Sequence, residues 1–139
     1  MQPNLPPPCN TPAERIRWAR YRKNMTIKQV AEKTSLREST MSHAENGKPI
    51  EIETLKKLSF ILEQPIWWLG CFETLPADTL AQRIRKCRLY HGLTKREFAN
   101  KLSVNEKTIR FWEGEKSKPS VKSLELLNPC ISIIHSTHL

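Results

Sequence analysis

The chain has 139 residues, with 23 lysines and arginines against 14 aspartates and glutamates, and its formal net charge is +9. A basic surplus of this size favours a polyanionic partner such as nucleic acid. The longest apolar run, residues 66–72, is too short to span a bilayer, and residues 1–8 lack the features of a secretory signal, so we expect a cytosolic protein without membrane contact.

One stretch of the sequence occurs twice, and the second copy follows the first at a constant distance of 68 residues. A match at a fixed offset without gaps indicates an internal duplication. The matching positions are Arg15, Ile16, Arg17, Arg20, Thr26, Ala31, Lys33, Ser35, Glu38, Thr40, Glu45 and Lys48 in the first copy, and Arg83, Ile84, Arg85, Arg88, Thr94, Ala99, Lys101, Ser103, Glu106, Thr108, Glu113 and Lys116 in the second.

The duplication predicts two small domains. Each copy has roughly 50 to 60 residues, which is near the lower limit for an independent core. We expect a disordered Pro-rich arm over residues 1–12, a first domain over 13–70, a linker over 71–78, a second domain over 79–127 and a tail over 128–139.

The first copy has the spacing of short helices. A helix is predicted from Ala13 to a loop at residue 24, and Thr26 is a typical N-cap for a second helix over 27–33. Ser35 occupies the turn before a third helix over 37–45, and an Asn-Gly pair at 46–47 ends it. The following helix has an apolar face formed by Ile52, Leu55, Leu58 and Leu62. Further along, Trp67, Trp68 and Leu69 are expected to pack on the end of the first core, and an interface between the copies or a dimer surface is left open for them.

The second copy repeats this order, so the predicted fold class is all-α, with two tandem five-helix domains. Its inward positions are expected to be Ile84, Cys87, Leu93, Phe98, Ala99, Leu102, Ile109, Val121, Leu124 and Leu127.

The cysteines show no framework in the sequence. Cys9, Cys71, Cys87 and Cys130 form no close pair and lack metal-ligand spacing, so reduced, independent thiols are expected. His135 and His138, with Cys130 nearby, are interpreted as part of an irregular tail rather than as a metal site. No metal, cofactor or catalytic residue is predicted.

Two short helices around a tight turn occur in each copy, at Thr26–Ala31 through Ser39–Pro49 and at Thr94–Ala99 through Lys107–Glu113. This pattern resembles the helix-turn-helix of the phage-repressor, Cro and xenobiotic-response-element (XRE) family. The resemblance covers about residues 13–70 and 79–127, and it implies a DNA-binding protein.

The resemblance also implies structural roles. A helix-one arginine pairs with a helix-three glutamate in this family, which gives the structural ion pairs Arg20–Glu45 and Arg88–Glu113. Small alanines stand where the second and third helices cross, and an aliphatic residue anchors the third helix; these positions are Ala31 and Ala99, then Met41 and Ile109. The turn, usually glycine because its backbone is left-handed, is serine in both copies.

Base reading is implied for the exposed side of each third helix, because a helix fits the major groove. These residues are Arg37, Glu38, Ser39, Ser42 and His43, then Asn105, Glu106, Lys107, Arg110 and Phe111. Lysines near the helix ends suit phosphate contacts, namely Lys48, Lys95, Lys116 and Lys118. Arg110 and Lys107 suit guanine, Asn105 suits adenine, and Phe111 suits a thymine methyl group. The alternative interpretation is that both faces are merely solvated.

We therefore expect a non-enzymatic, sequence-specific transcriptional regulator, a repressor by preference, that binds double-stranded DNA in the bacterial cytosol and nucleoid. No small-molecule effector is expected, and a homodimer is left open. Two alternatives remain at this point: an antitoxin or protein-binding adaptor on the same scaffold, and a DNA-binding accessory of a recombination or transposition system.

Overall fold

The computed structural model describes residues 11–137, with side chains placed as far as residue 131, and the chain divides into two compact units between Cys71 and Phe72. Most of the predicted Pro-rich arm, residues 1–10, lies outside the described residues. Its last two residues already belong to a helix start: the Thr11 hydroxyl accepts a hydrogen bond from the Glu14 N–H at 3.2 Å, and Pro12 is the first helical residue.

Unit 1 contains five helices in the described residues: α1 (Pro12–Arg22), α2 (Ile27–Thr34), α3 (Glu38–Glu45), α4 (Ile52–Leu62) and α5 (Ile66–Leu69). Their apolar faces meet in one core, in which the largest fully buried side chains are Ile16, Val30, Met41, Leu58, Leu62 and Leu69. α5 packs on α1 and α4. Trp67 and Trp68 are half-buried, and the Trp68 ring meets Trp18 edge-on at 5.6 Å between ring centroids.

Unit 2 begins with a 3₁₀ turn (Phe72–Thr74) and continues with α6 (Leu80–Tyr90), α7 (Lys95–Leu102), α8 (Glu106–Glu113) and α9 (Val121–Thr137). Its core cluster consists of Ile84, Cys87, Phe98, Ala99, Leu102, Ile109, Trp112 and Leu127. Every regular element in the described residues of both units is helical, so the all-α fold class is confirmed.

The expectation of five helices in the second copy was wrong. Unit 2 has four α-helices in its described part because α9 runs through residues 128–137, which were expected to form a tail. In unit 1, α4 ends at Leu62, its C-cap Glu63 has a left-handed φ of 54°, and Pro65 follows. Ile131 is the residue of unit 2 that corresponds to Glu63, and α9 continues past it. Pro129 lies inside α9, yet the helix continues with Cys130 and Ile131 packed against the core.

The predicted inward position of Val121 was also wrong, since this side chain is 75% exposed. Six residues along an α-helix correspond to an angular separation of roughly 120° around its axis. Leu127 is fully buried, so Val121 must lie off the packed face, whereas Leu124 is half-buried.

The segment 71–78, expected to be a linker, is partly packed. Cys71 and Phe72 are buried. The Lys86 ammonium donates to the Glu73 carbonyl at 3.1 Å, and Arg83 Nε donates to the Ala77 carbonyl at 2.9 Å, which attaches the segment to α6. α1 holds α5 in a comparable way, because Arg15 Nη1 donates to the Trp68 carbonyl at 2.6 Å.

The expectation of independent thiols was wrong for two of the four cysteines. Cys87 and Cys130 form a disulfide with a Cα–Cα distance of 6.1 Å. Their separation of 43 residues concealed this pair in the sequence, and the packing of α6 against α9 creates it. Cys9, His138 and the side chain of His135 lie outside the described residues.

None of the helices described here is long and apolar enough to cross a bilayer.

The turn serines have the left-handed backbone expected for this position: φ is 60° at Ser35 and 56° at Ser103. Each serine is the C-cap of the second helix in its unit, and its N–H donates to carbonyls of the preceding turn. A non-glycine residue in this region carries a conformational cost that glycine avoids.

We therefore expect Ser35→Gly to raise the free energy of unfolding by about 1 kcal/mol, because glycine adopts positive φ without that cost. Ser42→Gly is the matched control: it places glycine inside α3 and should lower stability by about 0.5 kcal/mol. Urea unfolding followed by tryptophan fluorescence measures both effects. A loss of stability in Ser35→Gly would contradict the prediction.

Candidate nucleic-acid interface

A buried arginine–glutamate pair fixes the end of α3 to α1. Arg20 Nε donates to Glu45 Oε2 at 2.6 Å, and Arg20 Nη2 donates to Glu45 Oε1 at 2.8 Å. The third nitrogen, Nη1, donates to the Met25 carbonyl at 3.0 Å, so the guanidinium also holds the loop after α1. The hydrogen bond with Glu45 raises the pKa of Arg20, which keeps the guanidinium charged in this buried place.

Unit 2 contains the same arrangement. Arg88 Nε and Nη2 donate to the two carboxylate oxygens of Glu113 at 2.7 and 3.0 Å, and Nη1 donates to the Leu93 carbonyl at 2.9 Å. Both side chains are less than one-tenth exposed. Each unit therefore has a two-bond contact between its first and third helices, as the resemblance implied.

The pair of helices joined by the tight turn, α2–α3 in unit 1 and α7–α8 in unit 2, is also built alike in the two units. Thr26 forms a capping box with Gln29 at the start of α2, and Thr94 forms one with Glu97 at the start of α7. The alanines expected at the helix crossing are buried, as are the aliphatic anchors of the third helices: Ala31, Ala99, Met41 and Ile109. This packing leaves one side of α3 and one side of α8 facing outward.

In unit 1 the outward side of α3 contains most of the predicted contact residues. Arg37 is the N-cap and uses its backbone alone, so its exposed side chain makes no capping bond. Glu38, Ser39 and His43 are exposed, whereas Ser42 is half-buried. These groups are short hydrogen-bond donors and acceptors with little positive charge.

In unit 2 the outward side of α8 is more basic. Lys107 and Arg110 are exposed, and the Lys107 ammonium lies 5.3 Å from the centroid of the half-buried Phe111 ring. Glu106 is half-buried and lies 3.8 Å from Arg96 Nε, as measured from its Oε1. Asn105 is the N-cap, and its Oδ1 accepts from the Lys107 N–H at 3.0 Å. A contact of Asn105 with adenine would have to share that oxygen.

The predicted phosphate contacts lie at the helix ends. Lys48 and Lys116 are exposed just after α3 and α8. The backbone N–H of Lys48 donates to the His43 carbonyl at 3.0 Å, and that of Lys116 donates to the Phe111 carbonyl at 2.8 Å. Lys118 is exposed, whereas Lys95 is half-buried as the first residue of α7.

The sequence interpretation missed one residue at the scaffold of this surface. Arg17 Nη2 donates to the Glu45 carbonyl at 2.7 Å, and Arg17 Nε lies 3.5 Å from Glu45 Oε1. The available signal was its position three residues before Arg20, on the same side of α1. Glu45 therefore contacts two arginines rather than one.

Residues 16–63 match the family model described as Helix-turn-helix. The matched segment begins in α1 and ends just after α4, so it contains α2, the Ser35 turn and α3. Comparisons with curated proteins and with solved structures gave no match. The match supports a helix-turn-helix domain of the XRE kind in unit 1, and with it a DNA-binding regulator. Residues 79–127 lie outside the matched segment.

The buried pair predicts different effects for two arginines on α1. Arg20→Ala should lower the free energy of unfolding by about 3 to 5 kcal/mol, because it leaves the Glu45 carboxylate buried without its main partner. Arg17→Ala is the matched control on the same carboxylate. Its side chain is 45% exposed, so its loss should cost about 1 kcal/mol or less.

Urea unfolding of the two variants beside the unchanged chain measures the difference. Equal losses for Arg17→Ala and Arg20→Ala would contradict a structural role specific to Arg20.

Proposed function

We propose that the protein is a sequence-specific transcriptional regulator, a repressor by preference, that binds a composite operator with two recognition helices, α3 and α8. The observation that carries this proposal is the outward side of α8. There, Lys107 and Arg110 are exposed on a helix whose C-terminal end is fixed by the buried Arg88–Glu113 pair.

A fixed helix with exposed basic side chains meets the physical requirement for base reading. The helix has to enter the major groove as a rigid element, and its side chains have to reach the base edges. An arginine on such a helix forms two hydrogen bonds with guanine O6 and N7. Lysines beside the helix neutralise phosphates and fix the register of the protein on the duplex.

Unit 2 is proposed as a second helix-turn-helix domain on the strength of repeated geometry. It shares with unit 1 the arginine–glutamate pair, the arginine bond to a loop carbonyl, the threonine capping box and the left-handed serine turn. Each of these features serves to place the third helix. Their joint recurrence supports the same role for α8 as for α3.

The two proposed reading surfaces differ in chemistry, which supports different half-sites. α3 offers Ser39, Ser42 and His43, whereas α8 offers Lys107, Arg110 and Phe111. A single chain would then bind a non-palindromic site on DNA in the bacterial cytosol. Catalysis has no part in this proposal, since occupation of DNA suffices for regulation.

Two exposed basic residues of unit 2 should affect binding in different ways. Arg110→Ala should weaken specific binding by about 1 to 3 kcal/mol and relax the base preference at one position. Lys118→Ala is the charge-matched control: it should weaken binding to all sequences alike and reduce the slope of log affinity against log salt by about 0.9.

Fluorescence anisotropy with a selected duplex and with a scrambled duplex, over a series of salt concentrations, measures both effects. Thermal melting should be unchanged in both variants. A salt slope near that of a single phosphate contact in the unchanged chain would contradict DNA binding as the function.

Selection of bound sites from random duplexes tests the composite operator. We expect two dissimilar half-sites about 34 Å apart, or a multiple of that distance, because two helices on one side of a duplex enter successive major grooves. The Arg110→Ala chain, selected in parallel, should lose preference in one half-site only. Recovery of perfect palindromes would contradict the proposal that one chain reads both halves.

A further inference from the structure

Three side chains of unit 2 converge at the contact of α6 with α9, on residues that the proposed DNA surface does not use. Cys87 is fully buried on α6, His91 is the exposed C-cap of the same helix, and Cys130 is half-buried on α9. One potential ligand atom from each residue lies within 4.8 Å of the other two.

We propose that these three side chains bind Zn²⁺ when the Cys87–Cys130 disulfide is reduced. Two thiolates and an imidazole nitrogen form a ligand set that zinc prefers, and three protein ligands leave the fourth tetrahedral position for water. The two thiolate charges balance the charge of the ion, which favours a partly buried site. The exposure of His91 gives the ion a path from solvent.

The spacing of one donor pair, Cys130 Sγ and His91 Nδ1, fits a tetrahedral ion. Zinc–sulfur and zinc–nitrogen bonds of about 2.3 and 2.0–2.1 Å place the two donor atoms roughly 3.5 Å apart in a tetrahedron. Cys130 Sγ and His91 Nδ1 are 3.5 Å apart. Cys87 and His91 are four residues apart on α6, so both donors lie on one side of that helix.

Zinc binding would change two things at this site: one contact of His91 and the distance between the two sulfurs. His91 Nδ1 lies 2.9 Å from the Cys87 carbonyl and would give up that contact. The carbonyl keeps the backbone N–H of His91, at 3.3 Å, as a hydrogen-bond donor. The two sulfurs have to separate to about 3.8 Å, the sulfur–sulfur edge of a zinc tetrahedron. The Cα–Cα distance of 6.1 Å leaves room for this separation.

The disulfide and the metal exclude each other because both need the same sulfur atoms. A phosphine reductant supplies two electrons to the disulfide and becomes a phosphine oxide with oxygen from water, and the two sulfurs leave as thiols. Zinc then displaces the two thiol protons as it binds. Unit 2 would therefore bind zinc in its reduced form alone.

Cobalt(II) is the probe for this site, because it replaces zinc and absorbs light. The full chain is reduced with a phosphine, freed of the reductant without air, and titrated with Co²⁺. We expect one equivalent to produce a thiolate-to-cobalt charge-transfer band and the strong visible bands of tetrahedral cobalt, and we expect Zn²⁺ to remove them. The oxidised chain should give neither band.

Variants identify the ligands. Cys130→Ser should remove the charge transfer of one thiolate, and His91→Ala should weaken cobalt binding about tenfold or more. The matched controls are Cys9→Ser, Cys71→Ser and His43→Ala, which should bind as the unchanged chain does. Circular dichroism verifies folding, and the exposed position of His91 keeps its variant informative if Cys130→Ser fails to fold.

Three results would overturn the proposal: a reduced chain without charge transfer, an unchanged spectrum in Cys130→Ser, and unchanged affinity in His91→Ala. If the disulfide re-forms when the metal is added, no charge-transfer band appears, and this outcome counts as the first result. DNA binding is measured separately, so failure of the metal site would leave the proposed function standing.

Discussion

The structure depends on one repeated interaction, the buried contact of an arginine on the first helix with a glutamate at the end of the third. A guanidinium fork on a carboxylate fixes direction as well as distance, because two parallel hydrogen bonds allow little rotation. In both units the third guanidinium nitrogen also holds a loop carbonyl, Met25 in one and Leu93 in the other. One side chain thereby positions a helix, a loop and, through them, the outward face.

This constraint separates scaffold from surface. The inner sides of α3 and α8 share an apolar anchor and a carboxylate less than one-tenth exposed, although the buried Ala44 of α3 is replaced by the buried Trp112 in α8. The outer sides share little beyond Glu38 and Glu106. A duplicated domain can diverge in this way, since exposed residues contribute little to stability. The difference between Ser42 and Arg110 at matching positions is the clearest example, and it underlies the proposal of two dissimilar half-sites.

The units differ most in the helices that come after the third one. Unit 1 ends α4 with a left-handed residue and a proline, and α5 then covers α1. Unit 2 has one long helix instead, α9, which brings Cys130 to Cys87 and His91. The extension that replaces the fifth helix is thus also the element that creates the candidate metal site. Its chemistry is independent of the surface proposed to bind DNA.

The sequence by itself determined the helical class and the duplication, because apolar periodicity and a constant offset of 68 residues can be read along the chain. The family resemblance implied the serine turns and the pairing of Arg20 with Glu45. Tertiary structure decided the rest. Arg17 joins Glu45 because α1 packs against α3, and this contact depends on how two helices meet in space. The Cys87–Cys130 contact spans 43 residues, and only the packing of α6 on α9 brings those sulfurs together.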